Sequence, residues 1–161
     1  MSVFERTYRT QIVKDGSLVP LSASETLAML GPVIPVSISP TKEHVLALEA
    51  RGEGTPEPVS TLALIDTGAS RTCICGSVFG KLGIAPVSIV ETFHTHGSEM
   101  CACYPIDIGF PGTPLPSETV YQAVSINLEP NSQFHVLFGR DLLSRIRFTY
   151  NGPMGRIEIA I

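Results

Sequence analysis

The sequence predicts an all-β fold on three observations: prolines and glycines interrupt the chain too often for long helices, its apolar runs have strand length, and turn-forming residues separate those runs. Thirteen prolines and fourteen glycines are spread over 161 residues. Proline removes a backbone donor and glycine weakens a regular element, so this punctuation favours short strands joined by turns. An apolar content of 43% is enough for one ordinary hydrophobic core, which makes a single compact body the expectation.

Residues 3–13 interleave apolar and polar positions, and Lys14-Asp15-Gly16-Ser17 supplies a turn before Leu18-Val19-Pro20, predicting an N-terminal hairpin with an edge strand. A short helix can start at Ser22 or Ser24 and is stopped by Gly31-Pro32. Strands are expected over 34–38 and 45–49, and the Gly/Pro-rich stretch 51–58 is read as a surface connection. Residues 59–65 form an apolar, β-prone run that leads directly into Asp66-Thr67-Gly68-Ala69-Ser70. A strand near 71–75 and a short helical segment at 77–82 follow. Residues 87–94 and 100–108 then flank a polar, glycine-bearing tip and read as a β-hairpin. Further strands are expected in 119–128 and 133–138, with a short helix at 139–143. Residues 146–150 and 156–161 are expected to pair across Asn151-Gly152.

The formal net charge is -4 and the basic residues are scattered, so no positive field suits a phosphate backbone and no nucleic-acid partner is expected. No apolar run is long enough to cross a membrane, and the charged start of the chain does not resemble a signal peptide. No membrane partner is expected, and the predicted location is the cytoplasm. Cys73, Cys75, Cys101 and Cys103 form two C-x-C pairs, unlike the spread framework of a disulfide scaffold, and are read as thiols.

The chemistry concentrates at Asp66. A carboxylate directly after an apolar strand needs donors to offset its loss of water. Thr67 brings a hydroxyl, Gly68 removes crowding, and Ala69 and Ser70 are small, so amides near Gly68 can hold the carboxylate toward a cavity. A purely structural reading makes Asp66 the start of an Asx-type turn.

In this context Leu62-Ala63-Leu64-Ile65-Asp66-Thr67-Gly68-Ala69-Ser70 resembles the catalytic strand and loop of retroviral-type (retropepsin-like) aspartic proteases. Val136-Leu137-Phe138-Gly139-Arg140-Asp141-Leu142-Leu143 resembles that family's second signature. The resemblance covers residues 45–161 and implies a closed acid-protease-like barrel with a flap hairpin and a short C-terminal helix before the last strands. Residues 1–44 fall outside it and are expected to form an N-terminal extension of strands packed on the barrel. The implied activity is peptide-bond hydrolysis by a homodimer acting on an extended peptide or protein. Each chain supplies one Asp66 and no cofactor or metal is needed. By the same resemblance Thr67 braces the active-site loops across the two-fold axis, with Gly68 and Ala69 in support. Gly139, Arg140 and Asp141 form the second signature, where Arg140 anchors the dimer. A solvated helix start is the plainer reading of Arg140 and Asp141.

His96, Gly97 and Ser98 form the tip of the implied flap, although their polarity differs from the apolar tips of viral relatives; an ordinary surface hairpin is the alternative. If the turn spans Gly97 to Met100, His96 faces Cys101 and His94 faces Cys103, a possible zinc set. The leading expectation is an aspartic endopeptidase, and the alternative is a catalytically inactive protease-like domain that dimerises or binds polypeptide.

Overall fold

The structure is a computed structural model that describes residues 1–94, 97–128 and 132–161. Along the chain, β1 (Val3–Thr7), β2 (Gln11–Lys14) and β3 (Ser17–Pro20) precede α1 (Ala23–Leu30), β4 (Val33–Pro40) and α2 (Lys42–Ala50). Next come β5 (Val59–Ile65), β6 (Cys73–Cys75) and α3 (Gly76–Leu82), then the hairpin strands β7 (Ser88–His94) and β8 (Gly97–Gly109). The chain ends with β9 (Glu118–Ile126), β10 (Val136–Phe138), α4 (Arg140–Leu143), β11 (Arg147–Asn151) and β12 (Arg156–Ala160). The fold is mostly β, with 46% strand and 18% helix, so the expectation of an all-β chain holds only in this coarser form.

The largest discrepancy is at 45–49, expected as a strand and found inside α2. Thr41 caps that helix by accepting the His44 N–H, and Lys42, Glu43, Leu46, Ala47, Leu48 and Glu49 are all good helix formers. A cap with a run of high propensity outweighs a five-residue apolar pattern that fits either period. By contrast, α1 forms as expected: Ser22 and Glu25 make a reciprocal capping box, and Gly31 terminates the helix at φ +73.

Two hairpins follow their turn residues. Asp15 and Gly16 adopt φ of +50 and +78 between β2 and β3, the left-handed pair that a tight hairpin turn requires. β11 and β12 pair antiparallel from Arg147↔Ala160 to Asn151↔Arg156. β1 pairs with the other edge of β12, giving a three-stranded sheet β1-β12-β11. Tyr8 ties this region to the rest of the molecule, its N–H donating to the Gly155 carbonyl and its hydroxyl to that of Val33 at 2.8 Å.

The main sheet has seven strands in the order β4-β5-β10-β6-β9-β8-β7. β4 also pairs with β8, from Ser37↔Gly109 to Pro40↔Ile106, so hydrogen bonding links the first and sixth strands of that order. The boundary between residues 44 and 45 falls within α2, and β4, which precedes it, sits in the sheet between β5 and β8. Ile34, Val36, Ile38, Ile65, Ile106 and Phe138 bury their side chains in one core.

One feature of this sheet positions the site. β5 and β10 are parallel, with Ile65 beside Phe138. The segments that begin at Asp66 and Gly139 therefore leave the same end of the sheet side by side.

Candidate active site

Asp66 is half-buried at the end of β5, and its N–H donates to the Phe138 carbonyl at 3.1 Å. Its Oδ1 accepts the N–H of Gly68 at 2.8 Å and of Ala69 at 3.3 Å. This is an Asx turn, and it also supplies the amide donors that a carboxylate at a strand end needs. A Cβ on Gly68 would lie 3.0 Å from Asp66 Oδ1, so glycine leaves the carboxylate room.

The neighbouring segment clasps this loop. The Arg140 N–H donates to the Ala69 carbonyl at 2.9 Å, while its Nη1 donates to the carbonyls of Thr67 at 2.8 Å and Gly68 at 3.1 Å. Thr67 is exposed at the tip of the loop. Gly139 crosses Arg71 and Thr72 so closely that a Cβ would sit 2.3 Å from the Arg71 carbonyl carbon. Asp141 takes three donors: Thr72 N–H at 3.0 Å, the Thr72 hydroxyl at 2.7 Å and Leu142 N–H at 2.9 Å. Asp141 thus joins the two segments, and Arg140 bonds to backbone carbonyls of its own chain.

A cleft of about 800 Å³ opens over Asp66, Gly68 and Ala69. The β7–β8 hairpin contributes Glu91, Phe93, Glu99 and Cys101 to its lining. Gly97 begins β8 opposite His94 with φ +135, and the Ser98 hydroxyl donates to Glu91 Oε1 at 2.6 Å. His96, the remaining expected tip residue, lies outside the described residues.

The hairpin register differs from the one a zinc site would require. Cys101 stands opposite Val90 and Cys103 opposite Ser88, because Gly97–Met100 belongs to β8 and not to the turn. All four cysteines are free thiols. Cys73, Cys101 and Cys103 bury together around Val124, and Cys73 and Cys101 reach the cleft. Burial above all, helped by the nearby charges of Asp141 and Asp66 and by the neighbouring thiols, pushes the Cys73 thiol up to about 11. Cys75 shifts downward instead, chiefly because the Ser77 hydroxyl donates to its sulfur.

Sequence reasoning missed Thr72 and the cleft-lining Glu91, Phe93 and Glu99. The one available hint for Thr72 was Asp141, a carboxylate beside the buried Leu142 that needed donors from another part of the chain. Compared with protein-family models and with curated proteins, the chain matches none.

Proposed function

We propose that this protein is an aspartic endopeptidase, working in the cytoplasm as a homodimer in which each chain supplies one Asp66. The observation that carries the reading is Asp66 itself: a carboxylate held by two loop amides at the edge of a cleft and braced from below by the Gly139-Arg140-Asp141 segment. The link from β4 back to β8 supports reading six strands of the main sheet as a closed acid-protease-like barrel. The hairpin that lines the cleft is the proposed flap, with Gly97 and Ser98 near its tip.

The chemistry follows from bringing two such carboxylates together. At close range both cannot ionise cheaply, so the pair shares a proton and titrates as a unit. The ionised member takes a proton from water as that water attacks the scissile carbonyl. The protonated member donates to the carbonyl oxygen as negative charge develops there. An extended peptide fits between the Asp66 loop and the hairpin, where backbone hydrogen bonds can hold it without regard to most of its side chains. Thr67 is exposed at the loop tip, which supports reading it as the brace to the second copy.

One observation favours a second reading. The Asp66 Oδ1 bonds complete a local turn, a structural role that a non-catalytic polypeptide-binding domain would also keep. Asp66→Asn separates the two readings, since it keeps the shape of the side chain and removes its proton exchange. Peptide hydrolysis is expected to vanish while peptide binding and melting temperature stay close to wild type. Undiminished turnover would rule Asp66 out as the catalytic group.

A further inference from the structure

We infer that Thr72 is a positioning residue for Asp66, its hydroxyl setting the register between the Asp66 loop and the segment that clasps it. The inference rests on the endopeptidase reading for its catalytic consequence and on geometry for the rest. Thr72 is fully buried, and its hydroxyl works in both directions. It donates to Asp141 Oδ1 at 2.7 Å and accepts the Gly139 N–H at 3.2 Å. Its backbone is also pinned, the N–H by Asp141 Oδ2 and the carbonyl by the Val124 N–H at 2.9 Å. It is therefore a fixed post between β9 and the 139–141 segment.

That post governs Asp66 through the residues on either side of Gly139. Phe138 offers the carbonyl that receives the Asp66 N–H. Arg140 holds the carbonyls of Thr67, Gly68 and Ala69. These are the residues whose backbone shapes the loop, and the amides of Gly68 and Ala69 bind the Asp66 carboxylate. Removing the hydroxyl leaves a buried Gly139 N–H without its acceptor and Asp141 without one of its donors. Gly139 then shifts, and Phe138 and Arg140 carry that shift to the loop.

The test compares Thr72→Val, which keeps the shape but not the hydroxyl, with Thr72→Ser, which keeps the hydroxyl. Amide hydrogen exchange at Gly68 and Ala69 is read with Val36 and Ile38 as remote controls, and kcat and KM are measured on an unstructured peptide. Thr72→Val is expected to speed exchange at Gly68 and Ala69 about tenfold without affecting the controls. Its kcat should fall on the order of 100-fold with KM changed little, because a loop misplaced by an ångström misaligns the reacting group. Thr72→Ser should restore both readouts. Wild-type exchange and kcat in Thr72→Val would overturn the inference, as would a Thr72→Ser variant as impaired as Thr72→Val. If Thr72→Val does not fold, Asp141→Ala, which removes the oxygens that the Thr72 hydroxyl and N–H donate to, takes its place: faster exchange at Gly68 and Ala69 supports the assignment, and wild-type exchange rejects it. A wild-type protein that cleaves no peptide would defeat the endopeptidase reading alone, since the exchange comparison still decides the role of Thr72.

Discussion

Gly139→Ala tests whether the two segments at the end of the sheet act as one unit. A Cβ at this position would lie 2.3 Å from the Arg71 carbonyl carbon, 2.4 Å from its oxygen and 2.7 Å from the Thr72 nitrogen. All three are backbone atoms, so no side chain can swing aside to relieve the clash. Separating them to ordinary contact requires a movement of about 1 Å, and overpacking of this kind costs about 1–3 kcal/mol. For a domain of this size that corresponds to a melting temperature lower by roughly 3–10 °C. Activity should fall further than stability, by about 100-fold, because the movement opens the joint that holds Asp66. Gly80→Ala is the matched control, since Gly80 lies within α3 and a Cβ there meets nothing within 4 Å. Alanine should stabilise that helix by about 0.5–1 kcal/mol. Thermal melts by circular dichroism with peptide hydrolysis on the same samples measure both variants. A Gly139→Ala protein that melts and turns over like wild type would refute the close crossing and the coupling drawn from it.

Three further outcomes are expected. Arg140→Ala removes the bonds to the Thr67 and Gly68 carbonyls, and sedimentation should show a shift toward monomer as the loops at the proposed interface loosen; an unaltered dimer would remove Arg140 from that role. A chain restricted to residues 45–161 should give no cooperative melt, because it lacks the strand that pairs with both β5 and β8, and a native-like transition would show that β4 is dispensable. Cys73 is neutral in the fold up to about pH 11 but ionises near 9 when exposed, so its contribution to stability is complete below pH 9 and is lost as pH rises toward 11. The urea midpoint of wild type should fall across that window more steeply than that of Cys73→Ala, and parallel curves would contradict the shift.

What the sequence made legible was mostly local. Asp15-Gly16 announces its turn because left-handed backbone is demanded within two residues, whereas between β11 and β12 the left-handed residue is Gly155, at φ +58, three residues beyond Gly152. Asp66 stood out because a carboxylate directly after an apolar strand needs donors, and the Gly139-Arg140 pair because its segment resembles a known second signature. Partnerships over long distances were not legible: nothing in β1 says that it pairs with β12, or in β4 that it lies between β5 and β8. The hairpin register slipped because Gly97 and Ser98 look like turn residues yet enter β8, moving Cys101 opposite Val90. Residues 45–49 misled because five residues cannot distinguish a strand from a capped helix. Thr72 escaped notice because a buried threonine has no sequence signature and its partners lie almost seventy residues away.

Mixing subunits tests the central claim, that two Asp66 carboxylates from two chains make one site. Wild-type chain and Asp66→Asn chain are combined in varying proportion at constant total concentration and allowed to exchange until sedimentation confirms equilibrated dimers. If both carboxylates are needed, only dimers of two wild-type chains cleave peptide, and activity follows the square of the wild-type fraction. An equal mixture then retains about one quarter of the wild-type rate. Retention of about one half, with activity linear in the wild-type fraction, would show that one chain holds a complete site. That result would contradict the two-chain account and direct attention to Glu91 and Glu99, the other carboxylates that line the cleft among the described residues.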